Sequence, residues 1–143
     1  MYNNLFPAIT QVASGRKKYL NIFGDNWPTF DGSAVRDYLH IMDLARAHQL
    51  ALDLALNKKK YFMNLNIGTG VGTSVFEFIK VFEKANDFKI PYKIVARREG
   101  DVPKLVADVS KAKKVLNWEA QLSLEQACFD GWKWLKKNPM GYK

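Results

Sequence analysis

The chain has 143 residues, of which 48% are hydrophobic and 25% charged, so it is long enough to bury a core and has the composition of a globular domain. A formal net charge of +8 raises phosphate or nucleic-acid binding as a possibility, but the basic residues form short, scattered clusters without a nucleic-acid motif. One cysteine excludes an internal disulfide, and no apolar run approaches the ~18 residues of a membrane span.

The predicted elements are helices with apolar residues at helical spacing and strands rich in β-branched and aromatic residues. In chain order they are helix 5–14, strand 19–23, strand 35–41, helix 42–57, strand 62–67, helix 74–86, strand 90–96, a short helix ending at 116, and helix 124–137. Strands and helices are interspersed without clean βαβ repetition. The pattern therefore predicts a mixed α/β domain.

Three helix starts carry capping signals. Asn4 can cap the first helix, and Ser74 with Glu77 has the spacing of a capping box. Asp108 or Ser110 can cap the short helix, which Trp118 would close at its far end. These local signals predict where the helices begin.

The glycine turn, residues 68–72, follows a predicted strand and precedes a predicted helix, as a dinucleotide-binding loop does. The third glycine of G-x-G-x-x-G would fall at position 73, which is Thr73. We therefore interpret these glycines as a turn that lets the chain and the following helix pack closely.

Arg36 lies where a loop, residues 28–32, gives way to a strand, a position at which binding residues are often found. Its guanidinium could donate two hydrogen bonds to a phosphate or a carboxylate. The alternative is a surface salt bridge to Asp31 or Asp37, which composition alone favours.

The segment at residues 97–101 places two arginines and two carboxylates in a loop after a strand, which allows either a solvated turn or a phosphate clamp. His40 and His48 lack further ligands at suitable spacing, so we expect no metal site, and His40 is interpreted as a packing residue within a strand. Cys128 lies on an apolar helix face and is interpreted as a packed thiol.

The run PTFDGSAVRDYLHIMDLARAH at residues 28–48 resembles UDP-glucose 4-epimerases of the extended short-chain dehydrogenase/reductase superfamily, and the likeness extends over residues 3–142. The resemblance implies only the C-terminal substrate-binding portion, because the N-terminal Gly-rich Rossmann fingerprint, the Tyr-x-x-x-Lys pair and the catalytic Ser are absent. Residues 1–143 would then form one UDP-sugar-binding region, a fragment of a longer chain, with an exposed apolar flank where the other part packs.

The resemblance also implies roles for particular residues. Arg36 and Arg98 would contact the diphosphate, Asp101 the ribose hydroxyls, and Asn4 with Leu5 the diphosphate and sugar. Residues 21–23 would bind uracil through the backbone and the Phe23 ring, although an ordinary edge strand is the alternative. Leu105 matches the gate of the sugar pocket, where family members carry a bulky Tyr or a smaller residue. The substrate-binding candidates are therefore Asn4, Leu5, Asn21, Ile22, Phe23, Arg36, Arg98, Asp101 and Leu105.

The implied activity is interconversion of UDP-glucose and UDP-galactose through a 4-keto intermediate, with NAD held by the full-length enzyme, a cytoplasmic homodimer. This chain alone would bind no NAD and contribute no catalytic residue. Two alternatives stay open: part of another NAD-dependent sugar-nucleotide dehydratase or decarboxylase, or a non-catalytic module that binds polyanions. We expect no nucleic-acid and no membrane partner.

Overall fold

The computed structural model describes residues 4–57 and 62–141. The helices are α1 (Leu5–Ala13), α2 (Ile41–Leu56), α3 (Val75–Asn86), α4 (Ser110–Leu116) and α5 (Leu124–Lys137). The strands are β1 (Leu20–Phe23), β2 (Val35–Arg36), β3 (Thr73–Ser74), β4 (Tyr92–Val95) and β5 (Lys104–Leu105). This is the mixed α/β domain that the sequence predicts.

The strands form two small sheets. In one sheet β1 pairs with β4 in parallel, from Leu20 opposite Tyr92 to Phe23 opposite Val95. In the other sheet β2 is central: it runs antiparallel to β3 and parallel to β5. Arg36, at the end of β2, therefore lies between Thr73 and Leu105 and has neighbours on both sides.

Most of the buried apolar residues that the structure describes fall into two clusters. The larger one joins α1, β1, α3 and α5 around Phe82 and Cys128, both with no exposed surface. The smaller one joins α2 and α4, and Trp118 closes it: its side chain is 2% exposed and its Nε1 donates to Asp43 O at 3.2 Å. The larger cluster supports β1 and α1 from behind, so their other sides are available for a site.

The predicted helix starts are confirmed in part. The capping box is complete, because Glu77 N donates to Ser74 Oγ at 3.0 Å and Ser74 N donates to Glu77 Oε2 at 2.9 Å. Asn4 is the residue that caps α1 by position, but its side chain makes no capping hydrogen bond. Asp108 Oδ1 accepts from Ser110 N at 3.0 Å, one residue before the α4 cap.

The predicted strand 35–41 is wrong beyond Arg36. Tyr38 instead packs its ring against Phe78, with centroids 4.4 Å apart, and His40 caps α2 by accepting from Met42 N at 3.0 Å. Aromatic and β-branched residues suit a buried loop as well as a strand, which explains the error. His40 is 5% exposed, so the prediction that it is a packing residue is confirmed, although it does not lie in a strand.

The predicted strand 62–67 is also wrong, since these residues form no strand pairing. Their exposure still alternates, and Leu65 and Ile67 pack against the smaller cluster, which accounts for the alternating sequence. Apolar side chains are exposed in this segment and at the start of α2, with Phe62 92%, Ile41 68% and Met42 62% exposed, and the apolar flank itself stays a prediction. Among residues 4–57 and 62–141, none of the helices combines the length and apolar composition needed to cross a membrane.

Candidate functional site

A cleft of about 1160 Å³ opens between the start of α1, the end of β1, the end of β2 and one side of α5. Eight of the nine predicted site residues line it: Asn4, Leu5, Asn21, Ile22, Phe23, Arg36, Arg98 and Asp101. The fold thus brings together residues from both ends of the chain. The ninth, Leu105, lies outside this lining.

Two arginines converge on one carboxylate in the cleft. Arg98 Nε and Nη2 donate to the two oxygens of Asp101 at 3.0 and 3.3 Å, and Arg36 Nη2 lies 3.8 Å from Asp101 Oδ1. The Arg36 salt bridge is therefore made to Asp101, not to Asp31 or Asp37. Two guanidiniums against one carboxylate leave an excess positive charge, which favours binding of an anion.

The Arg36 guanidinium is held in place by backbone carbonyls. Its Nη1 donates to Val35 O and to Val102 O, both at 2.8 Å. The bond to Val102 O connects β2 to the segment that precedes β5. Because they use one nitrogen, the rest of the planar guanidinium can face the cleft.

Adjacent arginines of the loop at residues 97–101 have different surroundings. Arg98 lies over the Phe23 ring at 4.4 Å from its centroid, inside the cleft. Arg97 stacks on Trp27 at 4.0 Å and its Nε donates to Asn26 Oδ1 at 2.9 Å. Arg98 thus lines the cleft, while Arg97 braces the turn after β1.

The free edge of β1 presents backbone groups to the cleft. Leu20 N and Gly24 N donate to the β4 side, to Pro91 O and Val95 O, each at 2.9 Å. Backbone groups alternate between the two edges of a strand, so those of Asn21 and Phe23 point away from β4. Phe23 O accepts from Trp27 Nε1 at 3.1 Å. The N–H and C=O of Asn21 form a donor–acceptor pair at an edge to which no strand of residues 4–57 or 62–141 is added.

The start of α1 also points to the cleft. The first N–H groups of a helix have no partner within it and carry a partial positive charge. The first turn contains no acidic residue that would neutralise this charge. Asn4 is exposed beside it, and Leu5 lies next in the lining. This end can therefore accept part of an anionic ligand.

A His–Asp pair in the cleft lining was not predicted from the sequence. His40 Nε2 lies 3.4 Å from Asp130 Oδ2, which joins the start of α2 to α5. A hydrogen bond from Gln126 and the neighbouring His40 hold the pKa of Asp130 below its ordinary value. The two residues are ninety positions apart, so no local pattern could have paired them.

The glycine turn packs closely, as predicted. A Cβ at Gly68 would lie 2.4 Å from Asp37 Oδ2, and one at Gly72 would lie 2.7 Å from Val35 Cγ1. The N–H groups of Thr69 and Gly70 donate to the Asp37 carboxylate at 2.8 and 2.9 Å. The turn therefore does not fit a dinucleotide diphosphate, because its donors are already engaged.

Leu105 lies in β5, opposite Arg36, and is 64% exposed. The structure places it beside the diphosphate candidate but outside the cleft lining, so its role as a gate stays a prediction. Cys128 is fully buried, and burial raises the pKa of its thiol to about 12, as expected of a packed side chain. Among residues 4–57 and 62–141, His, Cys, Asp and Glu side chains form no group of three that could hold a metal.

Comparison with known proteins assigns this chain to a family. Residues 1–130 match the family described as GDP-mannose 4,6 dehydratase. A UDP-glucose 4-epimerase of Mus musculus is 49% identical over 140 residues, covering 98% of this chain and 40% of that protein.

Two solved structures have nearly the same backbone over this region, each with a TM-score of 0.91. One is UDP-glucose 4-epimerase from Stenotrophomonas maltophila with bound NAD and formylated UDP-arabinopyranose, 43% identical over 96% of this chain and 41% of that one. The other is UDP-glucose 4-epimerase from Bifidobacterium longum with NAD⁺ and UDP, 42% identical over 97% of this chain and 41% of that one. The chain spans about 40% of the length of these relatives. It belongs to the GDP-mannose 4,6 dehydratase family, has the fold of an extended short-chain dehydrogenase/reductase and corresponds to a C-terminal portion of UDP-glucose 4-epimerases.

Proposed function

We propose that residues 1–143 form the UDP-sugar-binding region of a UDP-glucose 4-epimerase, an isomerase that interconverts UDP-glucose and UDP-galactose through a 4-keto intermediate. The observation that carries the proposal is the meeting of Arg36, Arg98 and Asp101 beside the free edge of β1. An anion site, a carboxylate and a backbone donor–acceptor pair lie there in one cleft, as a nucleoside diphosphate requires.

The diphosphate would bind between Arg36 and Arg98. Its oxygens match the planar donors of guanidinium groups, which form charge-assisted hydrogen bonds with phosphate. Asp101 now accepts from Arg98 at 3.0 Å, and a diphosphate would take over these donors. The released carboxylate could then accept hydrogen bonds from the two hydroxyls of the ribose.

The base and the sugar would lie on either side of the diphosphate. The N–H and C=O of Asn21 suit the imide edge of uracil, and the Phe23 ring offers an apolar surface to the base. At the other end, Asn4 and Leu5 would meet the phosphate and the sugar at the start of α1. An anchor at the nucleotide leaves the sugar free to turn during epimerisation.

The chain covers only part of its relatives, so we assign substrate binding to this chain and the redox chemistry to the rest of the full-length protein. This chain covers about 40% of the relatives whose structures contain NAD. The glycine turn of this chain does not fit that cofactor. NAD and the proton-transferring residues would therefore belong to the portion that the chain does not cover. A cytoplasmic homodimer is the proposed form of the full-length protein.

Two other functions compete with this one. The matching family is described as GDP-mannose 4,6 dehydratase, so a dehydratase or decarboxylase is the nearer alternative. The sequence of residues 31–45 and the relatives at 49% identity, named as epimerases, favour epimerisation. A polyanion-binding module would depend on the net charge of +8 and not on the cleft.

Calorimetric titration of the chain with UDP, ADP and uridine tests the proposal. We expect UDP to bind more tightly than either analogue, because ADP lacks the imide edge and uridine lacks the diphosphate. Equal affinity for UDP and ADP would contradict the uracil assignment. Equal affinity for UDP and uridine would contradict the diphosphate assignment.

A further inference from the structure

The carboxylate of Asp37 lies within the glycine turn and accepts four hydrogen bonds. Oδ1 accepts from Thr69 N at 2.8 Å and from the Thr69 hydroxyl, and Oδ2 accepts from Gly70 N at 2.9 Å and from Ala107 N at 3.4 Å. Three of the donors are backbone N–H groups. A carboxylate bound in this way is held in a single orientation.

The glycines make room for this carboxylate. A Cβ at Gly68 would lie 2.4 Å from Asp37 Oδ2 and 2.8 Å from Ala107 Cβ, so only glycine fits without a shift. Gly70 has a φ of +75°, which favours glycine and orients its N–H towards Oδ2. The turn is therefore a backbone anion site whose anion is supplied by the chain itself.

Asp37 immediately follows Arg36 at the end of β2. Its partners come from both neighbours of that strand, since Thr69 and Gly70 precede β3 and Ala107 follows β5. The carboxylate thus connects the central strand to both sides of its sheet. Because the carboxylate accepts from the turn, it does not pair with Arg36, whose guanidinium contacts Val102 O and Asp101 instead.

We propose that Asp37 is a positioning residue for the diphosphate site and acts through Arg36. Its hydrogen bonds fix the backbone at the end of β2, so that the Arg36 guanidinium faces Asp101 and Arg98. They also keep a competing carboxylate away from that guanidinium. The inference rests on the proposed function, because it takes UDP as the ligand of Arg36.

The test is a double-mutant cycle on UDP affinity, measured by calorimetry with the 143-residue chain. Asp37→Asn places an amide NH₂ where one oxygen now accepts from a backbone N–H. We expect it to weaken UDP binding about 10-fold, within the usual range for coupled neighbours. In an Arg36→Ala background the same change should have almost no further effect.

Asp43→Asn is the matched control. The Asp43 carboxylate also accepts from two backbone N–H groups, those of Gln121 and Leu122 at 2.9 and 2.8 Å. It lies beside the smaller cluster, where Asp43 O accepts from Trp118 Nε1. Its substitution should lower thermal stability and leave UDP affinity unchanged. If Asp37 had only a structural role, Asp37→Asn would behave like Asp43→Asn: it would lower thermal stability and leave UDP affinity unchanged.

Gly68→Ala provides a second test if Asp37→Asn does not fold, because the added Cβ would displace the carboxylate from the turn. It too should weaken UDP binding only when Arg36 is present. A folded variant that binds UDP as the wild type does, or a loss that is equally large without Arg36, overturns the positioning role. Failure of the wild-type chain to bind UDP would instead overturn the proposed function, and the role of Asp37 with it.

Discussion

Arg97 and Arg98 are adjacent in the sequence but differ in what they contact, which allows a test at single residues. Arg98 and Arg36 share Asp101, whereas Arg97 is held by Asn26 and Trp27. In an enzyme restored by joining this chain to the cofactor-binding portion of a relative, Arg36→Ala or Arg98→Ala should weaken UDP-sugar binding by about 1.5–3 kcal/mol, the usual value for a charged hydrogen-bond partner.

Arg97→Ala is the control for that pair, because it removes the same charge from the neighbouring position. It should change UDP-sugar affinity by no more than about twofold, as surface substitutions usually do. NAD affinity should be the same in all three variants. The diphosphate assignment fails for either arginine whose removal leaves UDP-sugar affinity intact.

Leu105 is the residue at which we predict sugar specificity to be set. It is smaller than Tyr, so the restored enzyme should prefer UDP-glucose and UDP-galactose with some activity on their 2-acetamido forms. Leu105→Tyr should reduce the 2-acetamido activity by steric exclusion, and Leu105→Ala should raise it. The measurement is kcat/KM for both substrate pairs. If the ratio of kcat/KM between the two substrate pairs were unchanged from the wild type in both variants, Leu105 would not belong to the sugar pocket.

At the scale of elements, Asp31 joins the loop before β2 to the start of α3. Its Oδ1 accepts from Ser33 N and Oγ at 2.9 and 2.8 Å, and its Oδ2 accepts from the Ser74 hydroxyl. Burial raises the pKa of Asp31, but the hydrogen bonds from Ser74 and Ser33 outweigh this and leave the pKa below its ordinary value of 3.8. The charged form is therefore favoured by folding.

This lowered pKa gives a pH-dependent prediction. Because the folded-state pKa lies below the unfolded value, the stabilisation is present above the unfolded pKa and is lost as pH falls through the folded one. Asp31→Asn should lower the free energy of unfolding by roughly 1 kcal/mol at neutral pH, with a smaller difference in acid. Urea unfolding at both pH values measures this, with the exposed Asp25→Asn as control. A difference that does not shrink in acid would contradict the assignment.

The five helices in the described residues agree with the sequence because their signals are local: apolar residues at helical spacing and, for α3, the capping-box spacing of Ser74 with Glu77. The two-residue strands β3 and β5 have no such signal, and residues 37–40 were mistaken for a strand because aromatic residues also pack in loops. The contact between Arg36 and Asp101 joins positions far apart in the chain and was not predicted; only the family resemblance assigned both residues to one site.

The hydrogen bonds of Asp37 were not predicted, although the sequence contains a signal for them. A turn with three glycines exposes several N–H groups, and the carboxylate of Asp37 directly follows Arg36 in the sequence. Neither a cofactor loop nor close packing specifies a partner within the chain for the N–H groups of this turn, which in the structure donate to Asp37. Since buried backbone N–H groups are nearly always hydrogen-bonded, the donors of this turn imply an acceptor nearby.

At the scale of the whole molecule, we predict that the purified chain alone does not epimerise UDP-galactose. The Tyr-x-x-x-Lys pair and the Gly-rich cofactor fingerprint of the resembling family are absent from its sequence. Formation of UDP-glucose from UDP-galactose can be followed with a coupled dehydrogenase. Turnover above the blank, without an added cofactor-binding portion, would contradict the proposed division of labour.

Titration of the chain with UDP at low and at physiological salt tests the central claim most directly. If Arg36 and Arg98 anchor a UDP-sugar, one UDP should bind per chain with micromolar to millimolar affinity and a shallow salt dependence, since only two basic side chains contact the diphosphate. The double variant Arg36→Ala, Arg98→Ala should abolish that binding. Absent UDP binding, together with steeply salt-dependent binding of a polyanion such as heparin that survives in the double variant, would contradict the claim.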